Sequence, residues 1–243
     1  MRTQKTIQHK VTSPLVNMGP IKLRQPLPTE GIENVDPFLL LHHYGPYAIS
    51  EFAGRGIIHA EAPTKEFVKK GGELEGIQLW LNLPAKDKMI PPNYQHLEDA
   101  QIPKLFSDDK KVQLNIIAGN QSTEKGLIKT QTEVNVFTAI AQENGQMEIE
   151  LPENHQSLIY LLEGEILVNN SEILKKGENQ MITFNQDGNF IQFKAKQQST
   201  LLILSGAPIK EKVTQYGPYV MNTQTEILEA MRDFQQGKMG HLY

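Results

Sequence analysis

Gly54-Arg55-Gly56-Ile57-Ile58-His59-Ala60-Glu61 places an imidazole and a carboxylate two residues apart, just beyond a glycine turn. Ile57 and Ile58 suit a β-strand, and residues i and i+2 of a strand point to one face. His59 and Glu61 then project together into one cavity, while Ala60 faces away. An imidazole beside a carboxylate suits a divalent ion such as iron. Two donors make only half of a metal site, and a lone His-x-Glu also reads as a solvated strand end or a hydrogen-bonded pair.

The rest of the chain has the same cadence. Short apolar runs recur at residues 77–83, 112–118, 134–141, 158–162, 165–168, 181–184, 190–193 and 200–204, separated by Gly, Asn, Asp and Pro. Strands of this length and spacing predict an all-β sandwich or barrel architecture. Glu163-Gly164 and Lys175-Lys176-Gly177-Glu178-Asn179 read as turns between strands. The pattern breaks at residues 119–126, where Asn120-Gln121-Ser122-Thr123 marks a boundary between two units, 1–122 and 123–243. A single short helix is predicted at the end. Thr223-Gln224-Thr225-Glu226 fits a capping box, Ile227, Leu228, Met231 and Phe234 follow at helical spacing, and Gly237 is a left-handed stop.

Composition narrows the function. Of 243 residues, 39% are hydrophobic and 21% charged, and the formal net charge is −4, which reads as a soluble globular protein. No dense Lys/Arg cluster marks a nucleic-acid groove, so no direct nucleic-acid partner is expected. The absence of cysteine removes disulfides, thiolate nucleophiles and cysteine-ligated metals. Neither a signal-like apolar stretch nor a membrane-length run is present, so a cytoplasmic location without membrane association is expected. Neither phosphate-binding glycine motifs nor a Gly-x-Ser-x-Gly elbow appears.

Several stretches together resemble one family. They are Asp36-Pro37-Phe38-Leu39-Leu40-Leu41-His42-His43, the Gly54–Glu61 stretch, Gly76-Ile77-Gln78-Leu79-Trp80-Leu81-Asn82-Leu83-Pro84, Lys86-Asp87-Lys88-Met89, Pro91-Pro92-Asn93-Tyr94-Gln95 and Tyr216-Gly217-Pro218-Tyr219-Val220-Met221-Asn222-Thr223. In this order, from about Asp36 to Gly237, they resemble the pirins of the cupin superfamily. The resemblance implies a bicupin, two β-barrels packed face to face. It implies a non-haem Fe(II) or other divalent metal in the first barrel, with His59 and Glu61 as ligands. It also implies chemistry like that of quercetin 2,3-dioxygenases on a flavonol-like small molecule, with Glu61 accepting the substrate's hydroxyl proton. A different class is implied equally: a non-catalytic regulatory pirin acting through a protein partner.

One departure from the family pattern stands out. Pirins carry an H-P-H-R-G motif between the Asp-Pro-Phe-Leu strand and the Gly-Arg-Gly-Ile turn, and its histidines complete the metal site. Here Ser50-Glu51-Phe52 runs directly into Ala53-Gly54. The expectation is therefore a truncated first barrel, an impaired metal site, and strand edges beside Leu39–Leu41 and Ile57-Ile58 that are either unpaired, which invites association, or covered by something else.

The other candidates read as structural. His42 and His43 are adjacent, so only one can face a given cavity. His96 follows a Pro-Pro turn, and His9 and His241 lie near the termini. His155 has no second histidine two residues away, so the second barrel is expected to be metal-free. Trp80 alternates with Gln78 and Asn82 as a core residue would. Trp80 and Tyr94 could also line a pocket for a flat aromatic molecule. Asp87 and Asp99 have no carboxylate partner.

Overall fold

The computed structural model describes residues 2–18, 21–44 and 75–239. Three layers of antiparallel sheet stack over one another, and all the named ladders are antiparallel. The middle layer has seven strands. In spatial order they are β1 (Ile7–Thr12), β15 (Asn179–Phe184), β12 (Gln156–Glu163), β17 (Ser199–Gly206), β10 (Val134–Ala141), β7 (Val112–Ala118) and β6 (Lys104–Phe106). One outer layer is the sheet β11 (Gln146–Glu150), β16 (Phe190–Ala195), β13 (Glu165–Val168) and β14 (Glu172–Lys175). The other outer layer comes from the first half: β2 (Leu15–Met18), β3 (Ile21–Leu27), β4 (Phe38–Tyr44) and β5 (Gly76–Leu81).

The apolar runs follow from this stacking. In β12, Ile159 and Leu161 enter the core shared with the β11–β14 layer, while Leu158, Tyr160 and Leu162 enter the core shared with the first half. In β17, Leu201 and Ile203 point one way and Leu202 and Leu204 the other. A strand covered on both faces has no polar side, so its sequence is a continuous apolar run. Each such Leu or Ile, fully buried, contributes on the order of 1.5–3 kcal/mol.

The all-β bicupin reading with a short C-terminal helix stands. The division at residue 122 does not follow sheet membership. β1, β6 and β7 precede it in sequence but hydrogen-bond into the sheet of the second half. The break at residues 119–126 is instead a small hairpin, β8 (Asn120–Gln121) and β9 (Glu124–Lys125), on a chain that stays with the second half. Gly119 there has φ +85, and a Cβ would fall on the Asn135 side chain that caps the turn through Asn120 N–H at 3.0 Å. At Leu39–Leu41 the edge is covered rather than unpaired. β4 is an interior strand, laddered to β3 on one side and β5 on the other. Residue 76 onward returns beside β4 and supplies the partner that the shortened sequence seemed to have lost.

The C-terminal elements are β18 (Thr214–Tyr216), β19 (Tyr219–Met221) and helix α1 (Gln224–Gln235). The capping box forms as predicted. Thr223 Oγ1 accepts from Glu226 N–H at 3.2 Å, and Glu226 Oε2 accepts from Thr223 N–H at 2.7 Å. The predicted apolar face is narrower than expected. Ile227 is buried, but Leu228 and Phe234 are 59% and 46% exposed. The helix docks on the small β18–β19 hairpin, and Leu228 lies about 100° around the helix from Ile227. Among the described residues, no helix is long and apolar enough to cross a membrane.

Candidate functional site

β4 organises the polar interior of the first half. As an interior strand it buries both faces, so His42 (4% exposed), His43 (7%) and Tyr44 are all taken out of water. Strand alternation sends His42 and Tyr44 to one face and Leu41 and His43 to the other. The register sets His42 opposite Gln78 and Tyr44 opposite Leu23.

On the first face, His42 Nε2 lies 3.1 Å from Gln25 Oε1. The Gln25 amide is itself oriented, because its Nε2 donates to the Pro28 carbonyl at 2.9 Å. A carbonyl oxygen can only accept, so His42 carries its proton on Nε2. Burial pushes the His42 pKa down to about 4, so the ring is neutral at neutral pH. The Tyr44 hydroxyl donates to Gln78 Oε1 at 2.9 Å and stands 3.4 Å from His42 Nδ1, with the two rings edge-on. Half-buried Trp80 lies on β5 two residues beyond Gln78, on the same face.

On the second face, His43 bridges the halves of the protein. Its Nδ1 meets the Tyr160 hydroxyl of β12 at 3.0 Å, and its Nε2 meets Glu75 Oε1 at 2.9 Å. Burial raises Tyr160 to about 12, so its phenol stays protonated and donates to Nδ1. His43 therefore donates from Nε2 to the carboxylate. Of the adjacent pair, only His42 faces away from the seam between the halves.

The second half holds a separate polar cluster. Buried His155 meets Ser205 Oγ through Nδ1 at 3.2 Å, and Ser205 Oγ accepts from Asn135 Nδ2 at 2.9 Å. His155 Nε2 makes no hydrogen bond, although the Glu133 carboxylate lies 3.5 Å away. Burial lowers the His155 pKa and the neighbouring Glu133 partly opposes this. Ser205 is fully buried, so the arrangement is not that of an accessible nucleophile.

His59 and Glu61 lie outside the described residues, as do Ile57 and Ile58. Chain connectivity puts them between β4 and β5. Tyr44 and Gly76 are ladder partners, so both described ends of that stretch are pinned side by side at the Tyr44 end of the sheet. Among the described residues, no three His, Asp or Glu side chains come together as a metal group. Tyr94 is 66% exposed and His96 is exposed on its loop, so neither joins the β4 cluster. Asp99 pairs with Lys104 at 2.8 Å, and His9 is exposed on β1. Sequence reasoning missed Gln25, Tyr44, Gln78, Glu75 and Tyr160. For Tyr44 the signal was present: it stands at i+2 from His42, the same spacing that singled out Glu61.

Comparison with known proteins agrees with this architecture. Residues 136–240 match the model of the pirin C-terminal cupin domain. A Pseudomonas aeruginosa protein provisionally named a quercetin 2,3-dioxygenase is 36% identical over 186 residues, covering 76% of this chain and 64% of that protein. A Thermoplasma acidophilum protein with the same provisional name is 30% identical over 201 residues, 76% of each chain. The crystal structure of an Acinetobacter baumannii protein titled quercetin 2,3-dioxygenase superposes with a TM-score of 0.85 at 26% identity, covering 99% of this chain and 100% of that one. The chain spans under two thirds of the first curated relatives, 64%, 62% and 65% of their lengths. The match across the second half, the identity to full-length relatives and the shared stacking of sheets lead to one assignment: this chain belongs to the pirin family.

Proposed function

We propose that the chain is a quercetin 2,3-dioxygenase-like pirin that holds a divalent ion, Fe(II) first among them, in its first half and acts on a flavonol-like small molecule. Its metal site departs from the family pattern because the H-P-H-R-G pair has no counterpart. The observation that carries the reading is the likeness, nearly end to end in both chains, to a solved structure titled quercetin 2,3-dioxygenase. The described residues suit an ion chemically: the β4 face offers a buried, neutral imidazole of fixed tautomer and a phenol. Bound, the ion supplies Lewis-acid and redox chemistry. The chain supplies His59 and Glu61 as proposed ligands, and the Glu61 carboxylate as acceptor of the substrate's hydroxyl proton.

The test is dioxygen uptake with quercetin after anaerobic loading with Fe(II). Metal-dependent turnover, weaker than in a four-ligand pirin and lost on His59→Ala, is expected. Quercetin left intact by fully loaded protein would overturn it. The missing histidine pair favours the second reading, a non-catalytic pirin working through a protein partner. That reading predicts metal binding without turnover.

A further inference from the structure

Thr183 carries a hydroxyl that the seam between the halves does not use. It lies on β15 two residues beyond Met181, on the face turned to the first half, and is 2% exposed. Its Oγ1 has no hydrogen-bond partner among the described residues. A buried hydroxyl left unbonded is a cost, and valine has the same shape without it. Thr183 lines a cleft of about 190 Å³, where residues 31–35 of the first half meet β1, β15 and the start of β12.

Local geometry builds the walls. His9 stands opposite Thr183 in the β1–β15 ladder, and the register shifts between Ile7 and His9, so Gln8 has no ladder partner there. Adjacent residues of a regular strand point apart, and this bulge lets Gln8 and His9 line the same cleft. Gln156 precedes Leu158 by two residues and shares its face toward the first half. On the opposite wall, buried Ile32 and Val35 each close a β-bridge, to Thr29 and Phe38. The exposed Glu33 and Asn34 between them are thereby held at the rim.

We infer that this cleft binds a neutral, polyhydroxylated small molecule of monosaccharide size, which bridges the two halves. The volume is about six times the ~30 Å³ of one water in the liquid, and falls short of the ~300 Å³ at which pockets for drug-sized ligands begin. Gln8, Asn34 and Gln156 each offer amide N–H groups and a carbonyl, Thr183 a hydroxyl that donates and accepts, and Glu33 acceptor oxygens. A sugar hydroxyl also donates and accepts, so it matches this mixture. None of the described lining residues is a lysine or arginine, and the Glu33 carboxylate repels anions, which disfavours phosphates and carboxylic acids. An ammonium group only donates, so it would leave the amide N–H groups unmatched. The inference is independent of metal binding and turnover in the first half.

The experiment follows backbone amide resonances of the isotopically labelled protein during titration with D-glucose, D-galactose and D-mannose. Glucosamine and glucuronate serve as cationic and anionic counterparts, and thermal unfolding is recorded alongside. Saturable shifts at Gln8, Glu33, Asn34, Gln156 and Thr183 are expected with at least one neutral hexose, with a Tm that rises with its concentration. Thr183→Val should weaken that binding about tenfold, the loss of one hydrogen bond, and leave the unliganded protein at least as stable. Shifts that never saturate, nonspecific sugar contact only, overturn the proposal. So does hexose binding unchanged by Thr183→Val, or a preference for glucosamine or glucuronate. A loss of stability in unliganded Thr183→Val would show that the hydroxyl is bonded within the protein, and overturns the premise.

Discussion

His43 Nδ1 and the Tyr160 hydroxyl meet at 3.0 Å across the seam between the halves, joining residues 117 apart in sequence. Around it, Leu27, Leu41 and Leu79 of the first half pack against Leu158, Leu202 and Leu204 of the second. A polar contact in such surroundings adds little net stability while it is made, and is costly once one partner is removed.

Tyr160→Phe should therefore destabilise the protein by about 1–3 kcal/mol, because it leaves the buried His43 nitrogen unpaired. Thermal unfolding measures this. A double-mutant cycle with His43→Leu should show that the two losses are not additive. Full additivity would mean the contact carries no coupling.

Stability should fall as the solution is acidified below about pH 6.5. His42, lowered to about 4, and His155, also lowered, are both held neutral by burial. Between the folded and unfolded pKa values the unfolded chain binds more protons, so stability rises with pH across that window and is lost as pH falls. Urea midpoints measured from pH 7 to pH 4 should show this slope. His155→Gln should flatten it, and an unchanged slope would exclude His155 as a contributor.

Lys88 places a positive charge between the first half and the acidic residues of the C-terminal segment. Its half-buried ammonium donates to Asn82 Oδ1 at 2.5 Å and to the Leu83 carbonyl at 2.7 Å, while Glu211 and Glu226 lie near enough to oppose the lowering of its pKa by burial. Lys88→Met leaves those acceptors without their ammonium donor, with an expected loss of about 1–3 kcal/mol. Hydrogen exchange should rise in residues 211–235. Exchange confined to residues 82–88 would show that Lys88 does not hold the segment.

Thr223→Ala removes the helix N-cap, which satisfies Glu226 N–H. The expected cost is about 1 kcal/mol, with faster amide exchange in the first turn of α1. Unchanged exchange at Glu226 would mean that water replaces the cap without loss.

The sequence by itself determined the fold class, the C-terminal helix with its cap, and the family. Strand cadence, turn residues and the Thr223/Glu226 box are local, and local chemistry is readable along the chain. It also determined that His42 and His43 must part, since adjacent residues of a strand cannot share a face. Which way each one points was decided only by tertiary structure. The hydrophobic pattern around them, Leu41-His42-His43-Tyr44, is apolar or aromatic on both sides, because β4 is buried on both faces and gives no amphipathic signal. The partners were equally hidden. Tyr160 reads as one more residue of an apolar run, and Gln25 and Gln78 as ordinary strand polar residues. Their roles depend on ladders that bring β3, β5 and β12 beside β4. The same long-range pairing returned residue 76 to the side of Tyr44 and covered the edge that the shortened chain appeared to leave open.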